Sequence, residues 1–257
     1  MIAEPGRGSA TRLGRAVRAT AEGAVIAAAP HREAHRQTNW LRDVILGGQD
    51  GLVNILGIIL GVIAGGGSET VLIVTGFAAA ITESISMGAV GYTSSVSERD
   101  YYLAERGRES AEIAATPEAE RQEIRRIYAA KGFTNPLLED VVATITANRE
   151  TWLATMMDEE LHLQPVGNQA ILRAAIVITI ATLVGHLIPL VPFLFLDRTP
   201  ALIVAVALSA LALFAVGVYS AVTLVGDWRM SGVRMVVIGL GAAAIGFGVG
   251  RLFNAGG

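Results

Sequence analysis

ITESISMGAVGYTSSVSERD, residues Ile81 to Asp100, is an apolar run that carries a carboxylate at Glu83 and a thioether at Met87 and then turns abruptly polar. At helical spacing these two residues stand at i and i+4, so they project from one face about one turn apart. An ionisable side chain inside a membrane-grade helix is costly and faces a bundle interior or a water-filled path, which makes Glu83 a candidate transport residue. A hydrogen-bonded structural Glu with Met87 as core filling fits the same letters.

Working outward, the run belongs to one of five apolar stretches, near Asp43–Ala64, Thr70–Ser94, Ala170–Leu196, Ala201–Gly226 and Gly232–Phe253. Each is long enough to cross a hydrocarbon core of roughly 30 Å, which takes about 20 helical residues. With 52% hydrophobic and 17% charged residues, the chain reads as an all-α integral membrane protein with five transmembrane helices. The expected divisions are a basic extension at 1–39, helices 1 and 2 within 40–97, an acidic helical insert at 98–165 and helices 3 to 5 within 166–257. Cysteine is absent, which removes disulfides, thiolate ligands and Cys nucleophiles together.

The first apolar stretch follows Trp40, a residue suited to the membrane interface. Asp43, Gly47, Asp50, Gly51 and Asn54 share one of its faces, so the span carries a small and polar stripe. Gly47 with Gly51, Gly57 with Gly61, and Gly246 with Gly250 in the last span are pairs that permit close helix approach. The second span runs on without proline from Thr70 to Thr116. One helix of roughly 65 to 70 Å is therefore expected at 1.5 Å per residue, with Gly88, Gly91 and Gly107 as the places it could bend. In the third span, His186, Pro189 and Pro192 mark a bend or an exit.

The overall charge of −3 conceals a segregated pattern, because Glu98 to Glu160 holds 14 acidic and 8 basic residues. Glu105, Glu109 and Glu112 fall in i, i+4, i+7 register on the outer part of the long helix. A second helix is punctuated by Thr116-Pro117 at its start and Lys131-Gly132 at its end, and it carries Glu120 and Glu123. A third opens at Asn135-Pro136. A last begins near Asn148, places Met156, Met157 and Glu160 within one turn, and stops before Pro165. Carboxylates select hard divalent cations and thioethers softer ones, so the mixture points to Fe²⁺, with Mn²⁺, Co²⁺ and Zn²⁺ behind it. A solvated acidic bundle with Leu153, Met156, Met157 and Leu161 as its core stripe fits the same spacing.

Glu159 and His162 form one E-x-x-H unit where ferritin-like di-iron bundles use two, and no phosphate-binding G-x-x-x-x-G-K-[ST] loop is present. An enzyme and an ATP-driven motor are thus disfavoured. His31 and His35 read as solvated, and Arg12, Arg15 and Arg18 suit either a short basic helix on anionic headgroups or an unstructured tail. Of the 20 basic residues, 18 fall on one side of a five-span topology, which places the N-terminus and the acidic insert in the cytoplasm. The high ratio of Arg to Lys and the Ala/Gly-rich terminus suggest a bacterial inner membrane, with a vacuolar membrane as the alternative.

DGLVNILGIILGV from Asp50, ESISMGAVGYTSS from Glu83 and the insert's closing MMDEELHL together resemble the vacuolar iron transporter (VIT) family, from about Trp40 onward. The resemblance implies a five-span homodimer that exports Fe²⁺, and often Mn²⁺, from the cytosol in exchange for protons. It further implies a membrane pathway through Asp50, Glu83 and Met87, and a cytoplasmic metal cluster of Glu109, Glu112, Glu120, Glu123, Met156, Met157 and Glu160; Glu105, on the same helix face as Glu109 and Glu112, is added to that cluster by its register alone. No prosthetic group and no nucleic-acid partner are expected. Two readings from other classes remain, a membrane-anchored metal buffer or sensor and a proton-coupled exporter of organic cations.

Overall fold

The computed structural model describes residues 39–224 and 226–254. The expectations for Arg12, Arg15, Arg18, His31 and His35, and for nearly all of the 1–39 extension, lie outside these residues. The described chain is helical: α1 (Asn39–Ala64), α2 (Glu69–Ala115), α3 (Pro117–Ala130), α4 (Leu137–Thr146), α5 (Arg149–Thr155), a π-helical turn (Met156–Glu160), α6 (Asn168–Leu190), a 3₁₀ turn (Val191–Leu194), α7 (Arg198–Leu224) and α8 (Trp228–Asn254). Five of them, α1, α2, α6 with its 3₁₀ turn, α7 and α8, are long and apolar enough to cross a membrane. The chain is an integral membrane protein.

α1 is the central helix, packed against α6 on one side and α8 on the other, while α2 lies mainly on α6 and α7 on α8. Glycine sets these distances. A Cβ at Gly47 would stand 2.8 Å from the Ile178 carbonyl, and one at Gly51 2.3 Å from the Thr182 carbonyl. On the opposite side, a Cβ at Gly246 would come within 2.4 Å of the Gly57 carbonyl and one at Gly250 within 2.1 Å of the Gly61 carbonyl. The small-residue pairs of the sequence are therefore the seams of the bundle, where close backbone approach replaces the hydrophobic driving force that lipid cannot supply. Between the seams, Ile55, Ile59, Leu72, Ala80, Leu190 and Phe193 are buried in one cluster.

This packing predicts a graded response to one added methyl group. Gly250→Ala is expected to lower the melting temperature of the detergent-solubilised protein, since overpacking against backbone costs about 1–3 kcal/mol. Gly248→Ala, whose Cβ meets nothing within 4 Å, is expected to be neutral or to stabilise slightly through helix propensity. Equal melting temperatures for the two variants would show that the seam does not set the helix distance.

α2 is continuous for 47 residues, or about 70 Å at 1.5 Å per residue, against roughly 30 Å of hydrocarbon. Its second half must therefore lie outside the apolar core. Gly88 and Gly91 do not interrupt it. They are buried against α6, where a Cβ at 88 would meet the Thr179 hydroxyl and one at 91 the Ile178 side chain.

Beyond the membrane part, the end of α2 joins α3, α4, α5 and the π turn around a second core of Ile113, Ile124, Leu138, Val142, Trp152, Leu153, Met156 and Met157. Pro117 opens α3 as its spacing predicts, although the Thr116 hydroxyl donates back to the Glu112 carbonyl, 3.2 Å away, instead of capping α3. Asn148 does cap α5, accepting from the Glu150 and Thr151 amides at 2.9 and 3.0 Å. The segment after it departs from the expected regular helix. It widens into the π turn at Met156 and ends at Glu160, and His162 follows in a left-handed conformation with φ 53°.

Candidate functional site

Two groups of polar side chains sit where apolar or solvated ones would be ordinary. The first lies within the spans. Glu83, from α2, has its two carboxylate oxygens engaged by two other helices: Asn54 of α1 donates its Nδ2–H to Oε1, and His186 of α6 meets Oε2 through Nε2 at 2.8 Å. The imidazole is completely buried, while the Glu83 side chain keeps 25% of its surface exposed. Asp50 lies close enough to interact with Asn54, Glu83 and His186. Met87 is half-buried one turn along α2 from Glu83. The polar stripe of α1 turns Asp50 and Asn54 toward the carboxylate of the second span.

His186 is the member that sequence reasoning passed over, having assigned it only to a bent or exiting segment. The available signal was the cost of an ionisable side chain within a span, the same argument that singled out Glu83. Asn54 lies on the polar face of α1, and spacing alone names no task for it.

The second group lies in the insert. Glu109 of α2 and Glu120 of α3 are 3% and 7% exposed, and they share a hydrogen bond with each other. Burial, that hydrogen bond and the charges of Glu120, Glu160 and Glu112 push the Glu109 carboxyl up to about 8. Glu120 is raised chiefly by burial, with the charges of Glu123 and Glu112 adding to it. Glu160, on the π turn, is raised by burial and then by Glu123, Glu120 and Glu112. Five carboxylates from three elements therefore sense one another, and Glu109 Oε1 is buried without a hydrogen-bond partner. An orphaned buried oxygen among like charges fits a cation as its missing neighbour.

The arrangement is a gathering, not a finished cage. Among the described residues, no three His, Asp or Glu side chains are arrayed to hold a metal ion. Met156 and Met157 are almost fully buried in the adjoining core. The wider π turn replaces the simple one-turn spacing read from the sequence, and such turns recur at functional sites. Glu105 pairs with Arg108 and is absent from the charges that perturb Glu109. Glu159 pairs with Lys131, and His162 Nδ1 lies 3.1 Å from the Asp158 carbonyl, so the E-x-x-H letters do not form a helical ligand pair.

A family model described as the VIT family matches residues 41–251. The chain belongs to the VIT family. Among its curated VIT relatives, "Vacuolar iron transporter 1" of Tulipa gesneriana is 31% identical over 223 residues, covering 86% of this chain and 90% of that protein. The Arabidopsis thaliana protein of the same name is 33% identical over 189 residues, 73% of this chain and 76% of that one. A "Vacuolar iron transporter" of Plasmodium falciparum is 31% identical over 200 residues, 74% of this chain and 73% of its own length. VIT members are transporters and not enzymes.

Proposed function

We propose that this VIT protein exports Fe²⁺, and Mn²⁺ by the same route, from the cytosol in exchange for protons. The observation that carries the reading is the Asp50, Asn54, Glu83 and His186 cluster within the spans. Three helices converge on one partly exposed carboxylate, an expense that a passive membrane anchor has no use for. The relatives' names supply iron as the cargo. Mn²⁺ follows from the carboxylate-rich donor set, which does not distinguish the two ions by spacing.

Proton exchange follows from the ligands themselves, because a carboxylate that holds a metal must first give up its proton. Asp50 and Glu83 in alternate occupancy would couple the flows, with Met87 as a soft contact. We infer a homodimer, since Glu83 and Met87 are only partly covered in one protomer. The insert collects metal on the cytosolic side through Glu109, Glu112, Glu120, Glu123, Met156, Met157 and Glu160. The basic-residue distribution supports that orientation. We assign the protein to a bacterial inner membrane on its composition, with the vacuolar membrane of the relatives' names as the alternative.

In reconstituted vesicles, Fe²⁺ and Mn²⁺ uptake is expected to grow with an outward-directed proton gradient. Uptake indifferent to the gradient would end the antiport reading. Asp50→Ala is expected to lose flux while calorimetry still records metal binding by the insert, and full flux in that variant would return the protein to a membrane-anchored buffer or sensor.

A further inference from the structure

We propose that His186 is a positioning residue for metal transport, holding Glu83 from behind so that the carboxylate meets the ion in one fixed orientation. This rests on the transport reading above and adds to it a residue on a helix outside the two spans that carry Asp50, Glu83 and Met87.

The argument begins with the ring's other nitrogen. His186 Nδ1 lies 2.8 Å from the backbone carbonyl of Thr182, one turn earlier on α6. A carbonyl oxygen only accepts, so Nδ1 carries a hydrogen and donates it. The ring plane is thereby fixed, and Nε2 faces Glu83 Oε2, 2.8 Å away, with one proton held between the two atoms. Carbonyl, imidazole and carboxylate in series form the kind of outer support that sets a ligand's orientation in metal sites.

The surroundings are built for the ring. A Cβ at Gly51 would lie 2.7 Å from His186 Nδ1 and 3.2 Å from Cε1, and a Cβ at Gly185 would lie 2.4 Å from the Gly48 carbonyl. Glycine on both helices lets α1 and α6 close over the imidazole, which leaves it 0% exposed. The Thr182 hydroxyl donates to the Ile178 carbonyl at 2.8 Å, so it does not compete for the ring. With Asn54 on Oε1 and His186 on Oε2, Glu83 has a support on each oxygen, and the one from α1 is exposed whereas the one from α6 is not. An arriving ion can displace the exposed Asn54 contact while His186 keeps the carboxylate in place.

Two amides of different reach test this in the full-length protein in vesicles. The His186→Gln amide ends near the position of Nε2 and can still donate to Glu83. The His186→Asn amide ends near Nδ1, keeps a polar group beside Thr182 and cannot reach Glu83. The Asn variant is expected to raise the half-saturating Fe²⁺ concentration for uptake by about 10- to 100-fold, the scale of outer-support losses in metal sites. Its maximal rate should change far less, and Mn²⁺ binding by its insert should remain as in the wild type by calorimetry. The Gln variant is expected to stay within about threefold of wild type, a small part of that range. Half-saturation in Asn equal to wild type would overturn the role of His186, as would a Gln variant impaired as much as Asn. Wild-type vesicles that move no metal would overturn the transport reading and this inference with it, whereas working wild-type vesicles with indifferent variants would overturn this inference alone.

Discussion

Glu83→Gln is expected to fold as the wild type does and to lose metal flux, separating the charge of this residue from its place in the bundle. The amide has the volume of the carboxylic acid. Its oxygen can accept from Asn54 Nδ2, and its nitrogen can donate to His186 Nε2 while Nδ1 continues to donate to Thr182. No hydrogen-bonding group is orphaned. A neutral amide, however, offers a divalent ion no charge, and a charge-assisted contact is worth about 1.5–3 kcal/mol. At 1.36 kcal/mol per decade, that is a fall of roughly tenfold to hundredfold in uptake at sub-saturating metal. Glu83→Ala should lose flux as well, but with a lower melting temperature, because a buried imidazole nitrogen left without its partner costs about 1–3 kcal/mol. Initial uptake rates and thermal melts of the two variants check this. Wild-type uptake in the Gln variant would make Glu83 a structural residue.

What could be read from the letters was whatever depends on near neighbours in the chain. The five spans follow from run length, the uninterrupted α2 from the lack of proline, and the start of α3 from Pro117. The glycine pairs were legible because i, i+4 spacing fixes a face, and the helices do meet there. Partnership across the bundle was not legible. Glu83 and His186 are 103 positions apart, and nothing in either neighbourhood names the other.

Local pattern is also silent on nearer partners. Register aligns Glu105 with Glu109 and Glu112, yet Arg108, one turn away, takes Glu105 in an ion pair. The π turn at Met156–Glu160 was hidden for another reason. Its residues have the propensities of an ordinary helix, so nothing local announces the wider turn.

Without metal, the insert should lose protection from hydrogen exchange as pH rises from about 5 to 8, and Mn²⁺ should restore it at the alkaline end. Glu109, Glu120 and Glu160 all hold protons more tightly in the folded protein than carboxyls ordinarily do, with burial the leading cause in each case. Where the folded state binds more protons than the unfolded state, stability falls as pH rises. The contribution is therefore fully present below the ordinary carboxylate range, and that of Glu109 is lost as pH rises through its folded value of about 8. Ionisation then sets five carboxylates against one another around an unpaired buried oxygen. A divalent ion reverses the sign of the effect, because it binds the ionised form and expels the proton. Each displaced proton should raise apparent metal affinity by about tenfold per pH unit while the carboxyl remains largely protonated. Glu109→Gln removes the most perturbed of these groups. In metal-free full-length protein it should flatten the pH dependence of exchange across 98–165, and it should weaken the protection that Mn²⁺ confers at pH 8. Exchange mass spectrometry resolves that segment from the membrane helices. Protection that increases with pH in the metal-free wild type, or that ignores Mn²⁺, would make these carboxylates a solvated acidic face and leave Asp50 and Glu83 as the metal-handling acids.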